Sequence, residues 1–161
     1  MNLIALLLLL NQTPPSTTAS GPLRQVTVHG FRSPSIGVEV REGFLGFHVG
    51  LFPLIVDGTP EGGSRTTWFV KMGATAYFLR FDLGSGRPSS LFTSVSLMQG
   101  LNNEWDVSRS VTHGSGVHGE LGILWAAWRG LDVRLGVGVL LGFDGRLNVH
   151  PTPGLSWSTV F

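Results

Sequence analysis

The sequence contains no cysteine, which excludes disulfides and thiolate metal sites. Charge is scarce: Asp, Glu, Lys and Arg make up 13% of the 161 residues, about half the share of an ordinary soluble domain. No run of about 20 apolar residues exists that could cross a bilayer as a helix. A net charge of +1 is too small for an electrostatic footprint on nucleic acid, so no nucleic-acid partner is expected. No repeat with a period of about 20–50 residues is visible, and the length suits one domain.

What remains is apolar and rich in glycine. Hydrophobic residues account for 42% of the chain, and there are 23 glycines, most of them inside apparent strands. A chain so short of charge, yet without helical spans, needs another reason to be this apolar. A transmembrane barrel supplies one, because its outward residues alternate with inward ones and never form long runs. Residues 1–20 read as a secretory signal peptide, with an apolar run from Leu3 to Leu10 and small residues at Thr18-Ala19-Ser20 for cleavage. The positive charge usual at the start of such a signal is absent. Residues 21–161 are then the barrel domain.

Eight strands are predicted. They run over 24–31, 35–41, 44–56, 66–81, 90–101, 115–128, 131–143 and 154–161. The stretch from Leu131 alternates most cleanly: Leu131, Val133, Leu135, Val137, Val139, Leu141 and Phe143 oppose Asp132, Arg134, Gly136, Gly138, Leu140 and Gly142. In the last strand Leu155, Trp157, Thr159 and Phe161 share one face. Loops at 57–65, 102–114 and 144–153 are long, whereas the turns at 42–43 and 129–130 are very short. The break at 32–34 is shorter than this rhythm requires, and 82–89 is longer than a tight turn. Five charges within strands, Glu39, Lys71, Glu120, Asp132 and Arg134, fall on the small or polar face. A soluble ligand-carrying barrel would reverse that arrangement.

This pattern resembles the small eight-stranded outer-membrane β-barrels of the OmpA/OmpX type, whose terminal strand also alternates and ends in Phe. The fold class expected is all-β, an eight-stranded antiparallel up-and-down transmembrane β-barrel. The resemblance implies an outer-membrane location in a Gram-negative-type envelope, with outer-membrane lipids and lipopolysaccharide as neighbours. It also implies that the assembly machinery reads the C-terminal strand, with Phe161 as its signal. An even strand count leaves both termini on the periplasmic side. Interfacial aromatic belts are expected at Trp68, Phe78, Trp125 and Phe161. An eight-stranded barrel is just wide enough for side chains to fill, so a structural or surface-interaction role through the outer loops is expected rather than a diffusion pore.

The candidates for chemistry are few. His113-Gly114-Ser115 is similar to the His-x-Ser spacing of outer-membrane lipid A deacylases, which are eight-stranded barrels with a Ser–His–acid site. Glu120 is the nearest acid to complete such a set. The family's acid lies further along the chain, where Ala126, Ala127 and Trp128 stand here, and Gly116 replaces the Asn that often follows the Ser. A polar loop entering a strand is the simpler reading, and an enzyme is the less favoured class. His118 and Glu120 share a face at a spacing that suits a metal, but two ligands do not make a site, and neither a metal nor another cofactor is expected. His48 reads as a packed lumen residue. Glu61-Gly62-Gly63 and Gly84-Ser85-Gly86 read as turns, since neither joins a strand to a helix. Glu39, His48, Lys71, His118, Glu120, Asp132 and Arg134 thus form an expected lumen polar network. Charges in a narrow barrel are costly unless paired. Strand depth therefore predicts Lys71 with Glu120 in one layer, Glu39 with Arg134 in the other, and Asp132 nearer the periplasmic mouth. A soluble lipid- or ligand-binding barrel remains a further alternative.

Overall fold

The structure is a computed structural model that describes residues 24–31, 36–57, 64–84, 87–101, 115–143, 145 and 147–161. The expected signal peptide and the whole of the long 102–114 loop, His113 included, lie outside the described residues. Nine strand segments are present: β1 (Arg24–Phe31), β2 (Ile36–Glu42), β3 (Leu45–Asp57), β4 (Ser64–Asp82), β5 (Pro88–Gly100), β6 (Ser115–Trp128), β7 (Leu131–Gly142), β8 (Leu147–Pro151) and β9 (Gly154–Val160). Each of β1 to β7 pairs antiparallel with the next in sequence. β9 pairs with both β7 and β1, which closes the sheet. The result is a closed antiparallel barrel of eight staves.

The extra segment corrects one expectation. Residues 147–151 were expected within a loop, yet they form β8 along the distal half of β7, from Leu141↔Leu147 to Val137↔Pro151. β9 continues the same stave lower down, from Arg134↔Gly154 to Leu131↔Trp157. The segment is short, and Leu147, Asn148 and Val149 are all exposed. The stave breaks between its two prolines, Pro151 and Pro153, neither of which can donate to a ladder. The backbone N–H of Thr152, between them, still bonds the Gly136 carbonyl at 2.8 Å.

Both tight turns follow from their residues. Gly43 has φ of 62°, a left-handed conformation that glycine adopts without strain. Arg129 and Gly130 have φ of 27° and 100°, and two consecutive positive φ values belong to the mirror-image turns whose twist suits a hairpin. A bulge at this same end re-aims a side chain. Register shifts between Ala126 and Trp128, so Trp128, which strict alternation would point inward, is 62% exposed. A second shift between Phe78 and Arg80 accompanies Leu79 at φ 48°. Unbroken alternation had been expected through both positions; bulges break it by adding one residue to one strand.

The two faces of the wall separate cleanly. Val38, Phe47, Val95, Leu121, Leu135 and Val137 all lie on the exterior and are exposed. Glu39, Lys71, Glu120, Asp132 and Arg134 point into the lumen and are buried. Exposed aromatic residues gather toward the end that carries the tight turns: Phe44, Phe78, Trp125, Trp128 and Phe161. Trp68 and Phe143 lie at the opposite, loop-bearing end.

Candidate functional site

Glycine makes the lumen possible. Gly122 on β6 faces Gly136 on β7, and a Cβ at Gly122 would come within 2.4 Å of the Leu135 carbonyl oxygen and 2.9 Å of the Phe92 ring. A Cβ at Gly138 would meet His118 Nε2 at 2.5 Å, and one at Gly136 would meet Thr152 Oγ1 at 2.7 Å. The space spared on β7 is therefore filled by His118, Thr152 and Glu120. His118 and Glu120 come from β6, the hairpin partner of β7, and Thr152 from the β8–β9 break, which the sequence does not mark as adjacent.

Toward the turn end, Glu39 is the hub. Arg134 Nη1 stands 3.5 Å from Glu39 Oε2. The hydroxyl of Tyr77, the chain's single tyrosine, donates to Glu39 Oε1 and accepts from Arg134 Nη1 at 3.3 Å. The Thr75 hydroxyl donates to Glu39 Oε2 at 3.2 Å. Because Thr75 has one proton to give, it accepts from His48 Nδ1, 3.1 Å away. His48 Nε2 is then the acceptor for Ser96 Oγ at 2.9 Å. A relay Ser96→His48→Thr75→Glu39 thus crosses four staves, with His29 Nε2 also 3.9 Å from the same carboxylate. The Arg134 guanidinium carbon lies 4.0 Å over the Phe92 ring, an electrostatically favourable placement for a desolvated cation.

Asp132 terminates a second relay. Gln25 Nε2 donates to Thr27 Oγ1 at 3.1 Å, Thr27 Oγ1 lies 3.0 Å from Ser158 Oγ, and Ser158 donates to Asp132. Arg87 pairs with the other Asp132 oxygen. This run of side chains spans β1, β9 and β7, so it ties together the staves whose pairing closes the barrel.

Toward the loop end, Lys71 Nζ stands 3.7 Å from Glu120 Oε2. Lys71 is the chain's only lysine, and it is fully buried. The Ser94 hydroxyl reaches the same carboxylate oxygen at 3.5 Å. Above this pair His118 and His150 stack, with ring centroids 5.2 Å apart and Nε2 atoms 3.3 Å apart. Phe52 packs on both imidazoles and joins Phe69, Met98 and Leu140 in an apolar plug. Tyr77, Phe92 and Leu124 form another at the level of Arg134. The lumen is filled by charged and apolar side chains packed together.

All seven residues of the expected polar network are therefore buried in the lumen, and both charge pairs form. Sequence reading missed His29, Arg41, Thr75, Tyr77, Arg87 and Ser158. Parity signals His29, Arg41, Thr75 and Tyr77, which continue the inward rows of their strands. No periodic signal marks Arg87, because it lies in a turn.

Of the residues considered for acyl chemistry, Ser115 and Glu120 leave opposite faces of β6, and His113 lies outside the described residues. Ser115 opens β6 on its exterior face and donates to Gln99, its cross-strand neighbour. Glu120 leaves the opposite face of β6 and is held by Lys71. Among the described residues no group of three or more His, Asp or Glu is gathered for a metal. Two of the cavities beside these networks bear on function. One, of about 350 Å³, lies on the exterior near the loop end and includes Val70, Met72, Leu97, Ser115 and Phe143. The other, of about 230 Å³, opens at the turn-end mouth of the lumen and includes Gln25, Arg41, Arg87, Leu124, Ala126 and Asp132. Comparison with protein-family models, curated proteins and solved structures finds no match.

Proposed function

We propose that the protein is a small outer-membrane β-barrel with a filled lumen and a structural or surface-interaction role through its outer loops. The observation that carries this reading is the inverted distribution of polarity. Phe47 is 63% exposed, Leu135 59% and Val137 55%, while the five charged residues first identified in the strands are buried inside. In water such an exterior would be an aggregation surface, because contiguous apolar patches this extensive are rare on soluble monomers. Against lipid it is the stable arrangement. The turn-end aromatic residues then form an interfacial girdle, and the tight turns face the periplasm. Outer-membrane lipids and lipopolysaccharide surround the wall. The terminal strand, with Phe161, serves as the contact for the assembly machinery.

Cell fractionation and unheated denaturing gels test this reading. The protein is expected in the outer-membrane fraction, with the unheated form migrating ahead of the heated one. Recovery of the folded protein in the soluble fraction without detergent would favour the soluble ligand-binding alternative.

A second reading, modification of a membrane lipid, has one observation in its favour. Ser115 borders the exterior apolar groove at the loop end, where an acyl chain would fit. His113 lies outside the described residues, and Glu120 cannot serve the same face. Lipid A mass spectra from cells expressing the wild type and Ser115→Ala decide it: an expression-dependent loss of an acyl chain that disappears in the variant would establish the enzyme.

A further inference from the structure

The turn-end mouth of the lumen carries a cation that, among the described residues, makes no salt bridge. Arg134 is matched by Glu39, and Arg87 by Asp132. Arg41, on the same inward row as Glu39, is the third guanidinium at this level, and it is only 4% exposed. Its Nε donates to the Gly43 carbonyl at 3.0 Å, and its guanidinium carbon lies 3.9 Å over the Tyr77 ring. Among the described residues no carboxylate pairs with it. Glu39 and Asp132 attract Arg41 at longer range, but each is in contact with another guanidinium, and a ring face answers only part of the cost of burying the charge.

Arg41 is also part of the wall of the 230 Å³ cavity at this mouth. Arg87 borders the same space, with the Gln25 amide beside it and Leu124 and Ala126 as an apolar floor. Asp132 borders it too, but that carboxylate is already occupied by Arg87 and Ser158. Two guanidinium groups around one recess suit an oxyanion, because each presents a planar fork of donors to a phosphate or carboxylate.

We infer that this recess is a binding site for a phosphate-type oxyanion, held chiefly by Arg41 with Arg87 at its side. The anion completes the charge balance of the turn-end layer. Two sources have the right chemistry: a free phosphate-bearing solute that enters from the mouth, or the headgroup of an anionic phospholipid at the adjoining rim. The inference rests on the closed barrel and its lumen, not on the membrane reading.

The test is thermal unfolding of the full protein in a phosphate-free maltoside detergent. One arm titrates inorganic phosphate, and the other adds phosphatidylglycerol to the micelles. An anion that binds the folded state alone raises the unfolding temperature with concentration. Stabilisation by phosphate is expected in the wild type, with apparent affinity weakened roughly tenfold or more in Arg41→Met, since a charge-assisted contact is lost. Arg24→Met removes an exposed guanidinium near the same rim and should leave the response intact. Stabilisation by phosphatidylglycerol alone, again lost in Arg41→Met, supports the site with a lipid headgroup as its occupant. Absence of stabilisation in both arms, or equal stabilisation of wild type and Arg41→Met, overturns the inference. Should Arg41→Met not fold, Arg41→Lys keeps the charge without the fork. Undiminished phosphate affinity in that variant would likewise count against a guanidinium site, and a weakened one would support it.

Discussion

At the residue scale the lumen is a test of charge pairing under confinement. Lys71 and Glu120 are both buried, and neither has bulk water to fall back on. Removing one partner leaves the other as an uncompensated charge, which costs about 3–5 kcal/mol in buried pairs. Lys71→Met and Glu120→Gln should each destabilise the barrel, and the double variant should recover part of the loss. A double-mutant cycle by denaturant unfolding measures that coupling; additive effects would show that the two charges are independently solvated. Glycine is the second residue-scale device. Gly122→Ala should cost about 1–3 kcal/mol by overpacking, because the added methyl meets the Leu135 carbonyl and the Gly136 Cα, both backbone, at 2.4 and 2.8 Å. An unchanged unfolding midpoint would mean that the β6–β7 pairing shifts to accept it.

At the element scale β7 shows most directly what the wall must satisfy. Its outward row is apolar from Leu131 to Leu141, while its inward row carries Asp132, Arg134 and glycine. On the membrane reading, Val137→Arg should destabilise the folded barrel by about 2–4 kcal/mol if the site is near the bilayer midplane. Exposed surface in water tolerates such a change within about 0.5 kcal/mol. Refolding titrations in lipid vesicles separate these outcomes. The bulge before Trp128 is the other element-scale feature. It turns a second tryptophan outward beside Trp125 at the turn end, so the exposed aromatic residues there are denser than simple alternation allows.

At the scale of the whole molecule, stability depends on one non-local pairing. β1 and β9 lie at opposite ends of the described chain, and their ladder from Gln25↔Val160 to Phe31↔Leu155 makes the sheet a barrel. The relay from Gln25 through Thr27 and Ser158 to Asp132 crosses that seam inside the lumen. The sequence has no cysteine, so a clean cross-link is available. The Thr27→Cys, Ser158→Cys double variant should form an intramolecular disulfide on oxidation. That bond should raise resistance to heat unfolding, because it closes a loop of well over 100 residues in the unfolded chain. Accelerated migration of the oxidised, heated form on a gel would report the cross-link; two free thiols in the folded protein would contradict the closing register.

Much of this was legible in the sequence because a strand has a period of two. Alternation alone placed Glu39, Lys71, Glu120, Asp132 and Arg134 on the polar face, and counting residues from the turns matched their depths well enough to pair them. The same rule identified Leu135, Val137 and Val139 as exterior. What alternation cannot register is an interruption of its own period. The bulges near Leu79 and Ala127, and the two-part stave across Thr152, had to be read from the backbone, since each trades a local irregularity for pairing partners far away in the chain. The hub around Glu39 was also hidden. Tyr77, Thr75, His48 and Ser96 come from three different strands, and their convergence depends on the stagger of the closed sheet. Arg87 shows the limit most plainly: it sits in a turn with no periodicity, and only closure of the barrel brings it to Asp132. Between the bulges, the sequence by itself determined which side of the wall a strand residue faces, because that is a local property of the pleat. Which inward residues meet across the lumen is set by register and curvature, and only the tertiary structure decides those.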